Sequence, residues 1–297
     1  MTPEIAVVAN VADEIGEIPT WDEKTQTLYW LDMIRPVMHA YRPASGATTT
    51  WATPEQLSAF ALRADGSFLA ASREWVAFYH PTANTWERLC EPEPMTHADN
   101  FLNDGRCDRR GRFWIGSGSF GQKKASGFLH RFDPDRKLST HRSGITLTNS
   151  LAWSPDGRVM YFCDSMTRTI EAYDYDLDSG AIANRREFAK IPRAAIPDGS
   201  IVDEEGCLWN AEFDFDVGRT RGFIVRYDPK GRVERMIELP TARATALTFG
   251  GPKLDILYVV TSRFHMPAEA LAQQPLAGSL LALEVGVRGL PEPRFGG

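Results

Sequence analysis

The chain has 297 residues, long enough for one large domain or two ordinary ones. Its formal charge of −6 leaves no basic footprint for nucleic acid, and no apolar run approaches the roughly 20 residues that a membrane span needs. The start, "MTPEIAVVAN", lacks a basic n-region and a cleavage signal, which points to a cytoplasmic protein. Cys90, Cys107, Cys163 and Cys207 lie far apart with no CxxC and read as buried thiols, not as a disulfide framework or a zinc site.

In chain order, one strand-like phrase recurs six times: "TLYWLD" at 27–32, "SFLAAS" at 67–72, "RFWIGS" at 112–117, "VMYFCD" at 159–164, "CLWNAE" at 207–212 and "ILYVVT" at 256–261. The copies stand roughly 40–50 residues apart, the period of a propeller blade. After each comes a second phrase ("MHAYRP", "VAFYHP", "FLHRFDP", "IEAYDYD", "FIVRYDP", "LLALEV"), mostly closed by turn formers such as "PASG" and "PKGR". No long stretch has helical spacing; "PAEALAQQ" at 267–274 is the best helical candidate and falls in a loop. The prediction is an all-β fold, one six-bladed β-propeller domain over residues 1–297. Its last blade uses "GSLLALEV" and is closed by the N-terminal strand "EIAVVAN".

Before each copy lies a third segment that starts polar and has an apolar fifth residue: "EIPTWD" from Glu17, "SAFALR" from Ser58, "NDGRCD" from Asn103, "NSLAWS" from Asn149, "DGSIVD" from Asp198 and "TALTFG" from Thr245. Period-two alternation puts the first and fifth residues on one face, so six polar groups are expected to ring one end of the central channel. Ser58 and Thr245 read as ordinary strand starts, and Trp21 and Trp153 as core. Glu17, Asn149 and Asp198 are different. Two carboxylates brought together raise each other's pKa unless a cation sits between them. An oxygen-only set matches a hard cation, and with no His or Cys in the ring it does not match structural zinc.

The phrases "IGEIPTWD", "NDGRCDRRGRFWIGS", "LTNSLAWSPDGRVMYFCDS", "PDGSIVDEEGCLW" and "TFGGPKLDILYVVTS", with "QQPLAGSLLAL" near the end, together resemble the SMP-30/gluconolactonase/luciferin-regenerating-enzyme-like family of six-bladed propellers, from about residue 13 to 285. The resemblance implies one divalent metal held by Glu17, Asn149 and Asp198, with substrate bound by Asn103. It also implies hydrolysis of a sugar lactone to the aldonic acid, with a metal-activated water and Asp198 as general base. Calcium, zinc, manganese, iron(II) and magnesium all fit such a site. Two departures stand out. Ile18 follows Glu17 where the family usually has Gly, and Phe101 stands two residues before Asn103 where many relatives have Arg. Phe101 and Gln122 are expected to shape the pocket, with the Phe101 ring against a sugar face or a deoxy carbon, so gluconolactone itself is not implied. Arg219, Arg221, Lys123 and Lys124 read first as solvated loop charges and second as a basic rim for an acidic lactone; His265 reads as a loop residue. The expected partner is a small-molecule lactone, with neither nucleic acid nor membrane, and the sequence carries no signal of oligomeric state. Two other readings stand beside it: a broader esterase or organophosphate hydrolase on the same metal, and a non-catalytic calcium-binding propeller.

Overall fold

The computed structural model describes residues 3–93 and 99–297, Phe120 by its backbone alone. Six four-stranded antiparallel sheets are arranged as the blades of a propeller. Blade 1 runs outward through Gly16–Asp22, Thr27–Asp32, Val37–Arg42 and Ala47–Ala52. The innermost strands of blades 2 to 6 are Leu57–Leu62, Asn100–Cys107, Thr148–Trp153, Ile196–Val202 and Ala244–Gly250. Blade 6 is completed by Ile5–Asn10, which pairs with Ser279–Glu284 as its outermost strand. Among the described residues no helix is long and apolar enough to cross a membrane; the six-residue helix Ala268–Gln273 lies in a blade 6 loop.

Burial explains why the recurring phrases look continuously apolar. The second strand of each blade is covered on both faces by its neighbours, so "LWNAEF" at Leu208–Phe213 is buried throughout, whereas the outermost strand Ala47–Ala52 is largely exposed. Six apolar clusters fill the gaps between adjacent blades. Trp21, Leu28 and Trp30 of blade 1, for example, meet Tyr258 and Val260 of blade 6. Trp21 and Trp153 belong to this core. Blades 3 and 4 approach so closely that a Cβ on Gly116 would stand 2.1 Å from the Thr148 side chain, which is why "WIGS" carries glycine there. The four thiols are free, three of them buried and Cys90 half-buried.

The expected sharing of a face by the first and fifth residues does not hold. Every innermost strand carries a one-residue register shift near its start: Glu17 pairs with Leu31 but Thr20 with Tyr29, and Asn149 with Cys163 but Ala152 with Tyr161. Equivalent shifts follow Leu57, Asn103, Pro197 and Ala244. The physical reason lies in the radial blades. A regular inner strand points its side chains alternately at the two neighbouring blades and offers only its edge to the axis. A bulge re-aims one residue toward the channel. The polar ring therefore depends on the bulges, while the fifth residues return to the inter-blade core.

The opposite end of the channel is closed by the C-terminal segment. Phe295 is buried against Phe78 and Phe132, its N–H donates to the Leu62 carbonyl (2.8 Å), and the Gly296 N–H donates to Gly111 (3.0 Å). Arg294 pairs with Asp22. Within this plug Glu292 accepts two hydrogen bonds from the Arg106 guanidinium, at 2.8 and 3.2 Å.

Candidate active site

The site lies at the starts of the innermost strands. Non-glycine residues in the left-handed region follow three of the ring positions: Ile18 (φ 50°), Asp104 (φ 51°) and Ser150 (φ 64°). For a β-branched residue such as Ile18 this conformation is strained by roughly 1–2 kcal/mol. It is also the conformation that glycine adopts freely, which accounts for the residue usual in the resembling motif. The Ile18 N–H donates to the Glu17 carboxylate at 3.2 Å.

Glu17, Asn103, Asn149 and Asp198 keep 7, 8, 4 and 8 % of their surface, a narrow opening onto the channel. Ser58 and Thr245 are shut off at 1 and 0 %. The Ser58 hydroxyl donates to the Ser72 carbonyl (2.8 Å), and Thr245 bonds to the Gly16 carbonyl, joining blade 6 to blade 1. These two are structural, but as buried ties between backbone segments and not as the solvent-exposed strand starts read from the sequence.

The amides are fixed by their neighbours. Asn103 Nδ2 donates to the Thr148 carbonyl at 2.9 Å and lies 3.4 Å from Asn149 Oδ1. Asn149 Nδ2 donates to Ser165 Oγ at 2.8 Å, and that hydroxyl donates in turn to the Pro197 carbonyl at 2.8 Å, beside Asp198. Ser165, fully buried, thereby decides which end of the Asn149 amide is committed to the protein and leaves Oδ1 as the atom on offer. The Ser150 hydroxyl ties the same two blades through the Asp198 carbonyl at 2.6 Å.

The carboxylates are electrostatically frustrated. Burial pushes Glu17 well above the usual carboxylate range, and the negative charges of Asp198 and Asp104 push it further. Asp198 is raised by burial and then by Asp104. Asp104 itself is pushed up to about 6 by burial, although the Leu151 N–H donates to it at 3.2 Å and Arg106 acts in the other direction. Arg106 is already engaged by Glu292 and the Ser200 carbonyl. Among the described residues no three His, Cys, Asp or Glu side chains gather closely enough to hold an ion by themselves. The converging donors are two carboxylates and one amide oxygen, with Asp104 adding negative charge. Such a set suits a hard divalent cation whose coordination is completed by water or substrate.

Two contributors escaped the sequence reading, Asp104 and Ser165. The first stands in the quoted "NDG" as the second residue of an aligned segment whose first residue alone was read; the second ends "FCDS" beyond any aligned position. Other candidates fall elsewhere. Gln122 lies in the turn Phe120–Gln122 at the end of blade 3's second strand, half-buried, and no hydrogen bond among the described residues joins it to the ring. Arg219 pairs with Asp214 at 2.9 Å, Arg221 faces Glu238 at 3.8 Å and Lys124 faces Asp99 at 3.4 Å, all with exposed cations. Lys123 is exposed as well. His265 is exposed, with its ring against Phe264. Phe101 is half-buried against Leu147, Ile196 and Phe213 at the channel mouth.

Residues 15–263 match the SMP-30/Gluconolactonase/LRE-like region. The chain belongs to this family. Within it, the chain is 34 % identical to a 6-deoxy-6-sulfogluconolactonase of Pseudomonas putida over the full length of both proteins. It is also 34 % identical to an L-arabinolactonase of Azospirillum brasilense, over 99 % of this chain and 96 % of the other. A solved structure of a calcium-binding protein, regucalcin, from Agrobacterium tumefaciens superposes with a TM-score of 0.91 at 26 % identity, covering 99 % of this chain and 97 % of that one. The six-bladed propeller is thus the family's architecture, and the matched region contains every residue of the polar ring.

Proposed function

We propose that this protein is a lactonase that opens a sugar lactone to the aldonic acid, using one divalent metal ion held by Glu17, Asn149 and Asp198. The observation that carries the proposal is the pair of buried carboxylates, Glu17 and Asp198. Both are raised by burial, Glu17 further by the charges of Asp198 and Asp104 and Asp198 by that of Asp104, and an amide oxygen is presented beside them by Ser165. A protein maintains such a cluster at a cost unless a cation offsets it. The two lactonase relatives support the reaction class. When bound, the ion would supply Lewis-acid polarisation of the lactone carbonyl and acidify the adjacent water.

The chain's own groups do the rest. Asn103 has its Nδ2 committed to the Thr148 carbonyl, so Oδ1 remains to accept a substrate hydroxyl. Asp198 takes a proton from the attacking water as its oxygen adds to the carbonyl carbon. The ring C–O bond then breaks, and the proton passes to the departing alkoxide. The product is a hydroxy acid, which ionises at neutral pH. Asp198→Asn is expected to keep the fold and reduce kcat by about 10²–10⁴-fold; turnover within threefold of wild type refutes the base role.

A second reading draws on the neighbour described as a calcium-binding protein: a propeller that binds calcium without turnover. Calcium binding by calorimetry, together with no acid release from any aldonolactone, would favour it.

A further inference from the structure

One apolar cluster gathers side chains from three successive blades at the entrance to the site. Phe101 of blade 3, Leu147 of blade 4, and Ile196 and Phe213 of blade 5 pack together. Blades diverge from the axis, so side chains of three successive blades meet only close to the axis. The cluster sits on the site's side of the polar ring. Phe101, Leu147 and Ile196 each stand two residues before Asn103, Asn149 and Asp198. Phe101 and Asn103 pair with Gly118 and Gly116 without an intervening register shift, so they share a face.

The mouth above the carboxylates therefore has an apolar wall on the side of blades 3, 4 and 5, with the Arg73 guanidinium 5.8 Å from the Phe101 ring at its edge. Of the equivalent positions on the other blades, Ile15 is apolar, while Gln56 and Arg243 interrupt the wall with polar groups. Arg243 braces the wall rather than opening it. Its guanidinium lies 5.3 Å from the Phe213 ring, and Nε and Nη2 donate to the carbonyls of Asp214 (3.0 Å) and Phe215 (3.3 Å).

We infer that this wall selects lactones whose exocyclic tail is deoxygenated. The inference rests on the lactonase reading and names the substrate class within it. With the carbonyl carbon within reach of the water that Asp198 deprotonates and a ring hydroxyl at Asn103, the remaining part of the substrate lies against Phe101, Leu147 and Phe213. A terminal hydroxyl placed against these side chains loses water and gains no hydrogen bond from them, whereas a methyl group gains contact.

The test is the wild-type ratio of kcat/KM for a 6-deoxyhexono-1,4-lactone and for the hexono-1,4-lactone of the same configuration. The expected ratio favours the deoxy compound by roughly ten- to hundredfold, the discrimination an apolar pocket makes against an added hydroxyl. Phe101→Gln should collapse that ratio toward one, mainly through KM, while Phe101→Leu should retain it. Equal rates, or a preference for the hydroxylated or a 6-sulfonated lactone, overturn the inference alone. Hydrolysis of no lactone overturns the lactonase reading and the inference with it. The wild-type ratio decides the matter even if a variant fails to fold.

Discussion

Asp104→Asn offers a direct test of the electrostatic picture of the channel. A carboxyl that titrates near 6 in the folded protein and near 3.8 in the unfolded chain costs the fold about 3 kcal/mol once ionised. The folded state binds the extra proton between those two values, so in the cation-free protein this cost is absent below pH about 4, grows as pH rises and is complete above pH about 7. The asparagine removes the charge and still accepts the Leu151 N–H, but its own amide N–H group has no waiting acceptor, which gives back about 1 kcal/mol. The net gain is about 2 kcal/mol at pH 8, or ~4 °C in Tm for a chain of this size. Thermal unfolding of both proteins after chelation, at pH 8 and at pH 4.5, measures it. The variant should be the more stable at pH 8 and lose that advantage at pH 4.5. A variant less stable than wild type at pH 8, or a gap that does not change with pH, refutes the reasoning.

Ser165→Ala frees the Asn149 amide to rotate, and it should weaken divalent-cation affinity about tenfold or more by calorimetry. Tm after chelation should move little by comparison, and an unchanged Kd would remove Ser165 from the account. Glu292→Ala leaves the Arg106 guanidinium in the channel without its carboxylate; urea unfolding should show a loss of about 3 kcal/mol, partly recovered when Arg106 is also replaced by Met.

Much of the fold was legible because each blade repeats the same problem: an inner strand covered on both faces, a tight turn, and an outer strand facing solvent. The six phrases around Leu28, Phe68, Phe113, Met160, Leu208 and Leu257 reflect that burial, and all six are buried. Glu17, Asn149 and Asp198 emerged from the same alignment, and the fold brings them to one end of the channel, but the reason given for their shared orientation was incomplete. Period-two alternation has no term for a bulge, and three of the six bulges hold Ile18, Asp104 and Ser150 in the left-handed region, which the local pattern of apolar residues does not record. Asp104 was passed over for the same reason. Ser165 and the plug formed by Glu292 and Phe295 depend on contacts between distant parts of the chain, which no local pattern records. The apolar wall was visible only as Phe101, because its other members look like ordinary strand residues until three blades converge.

The measurement that bears most directly on the central claim is proton release from a panel of aldonolactones by the chelated protein, before and after single divalent ions are added back. The account predicts no turnover after chelation and its return with at least one ion, in wild type but not in a Glu17→Gln and Asp198→Asn double variant. Lactone hydrolysis that survives complete chelation, or that the double variant carries out at the wild-type rate, would contradict it.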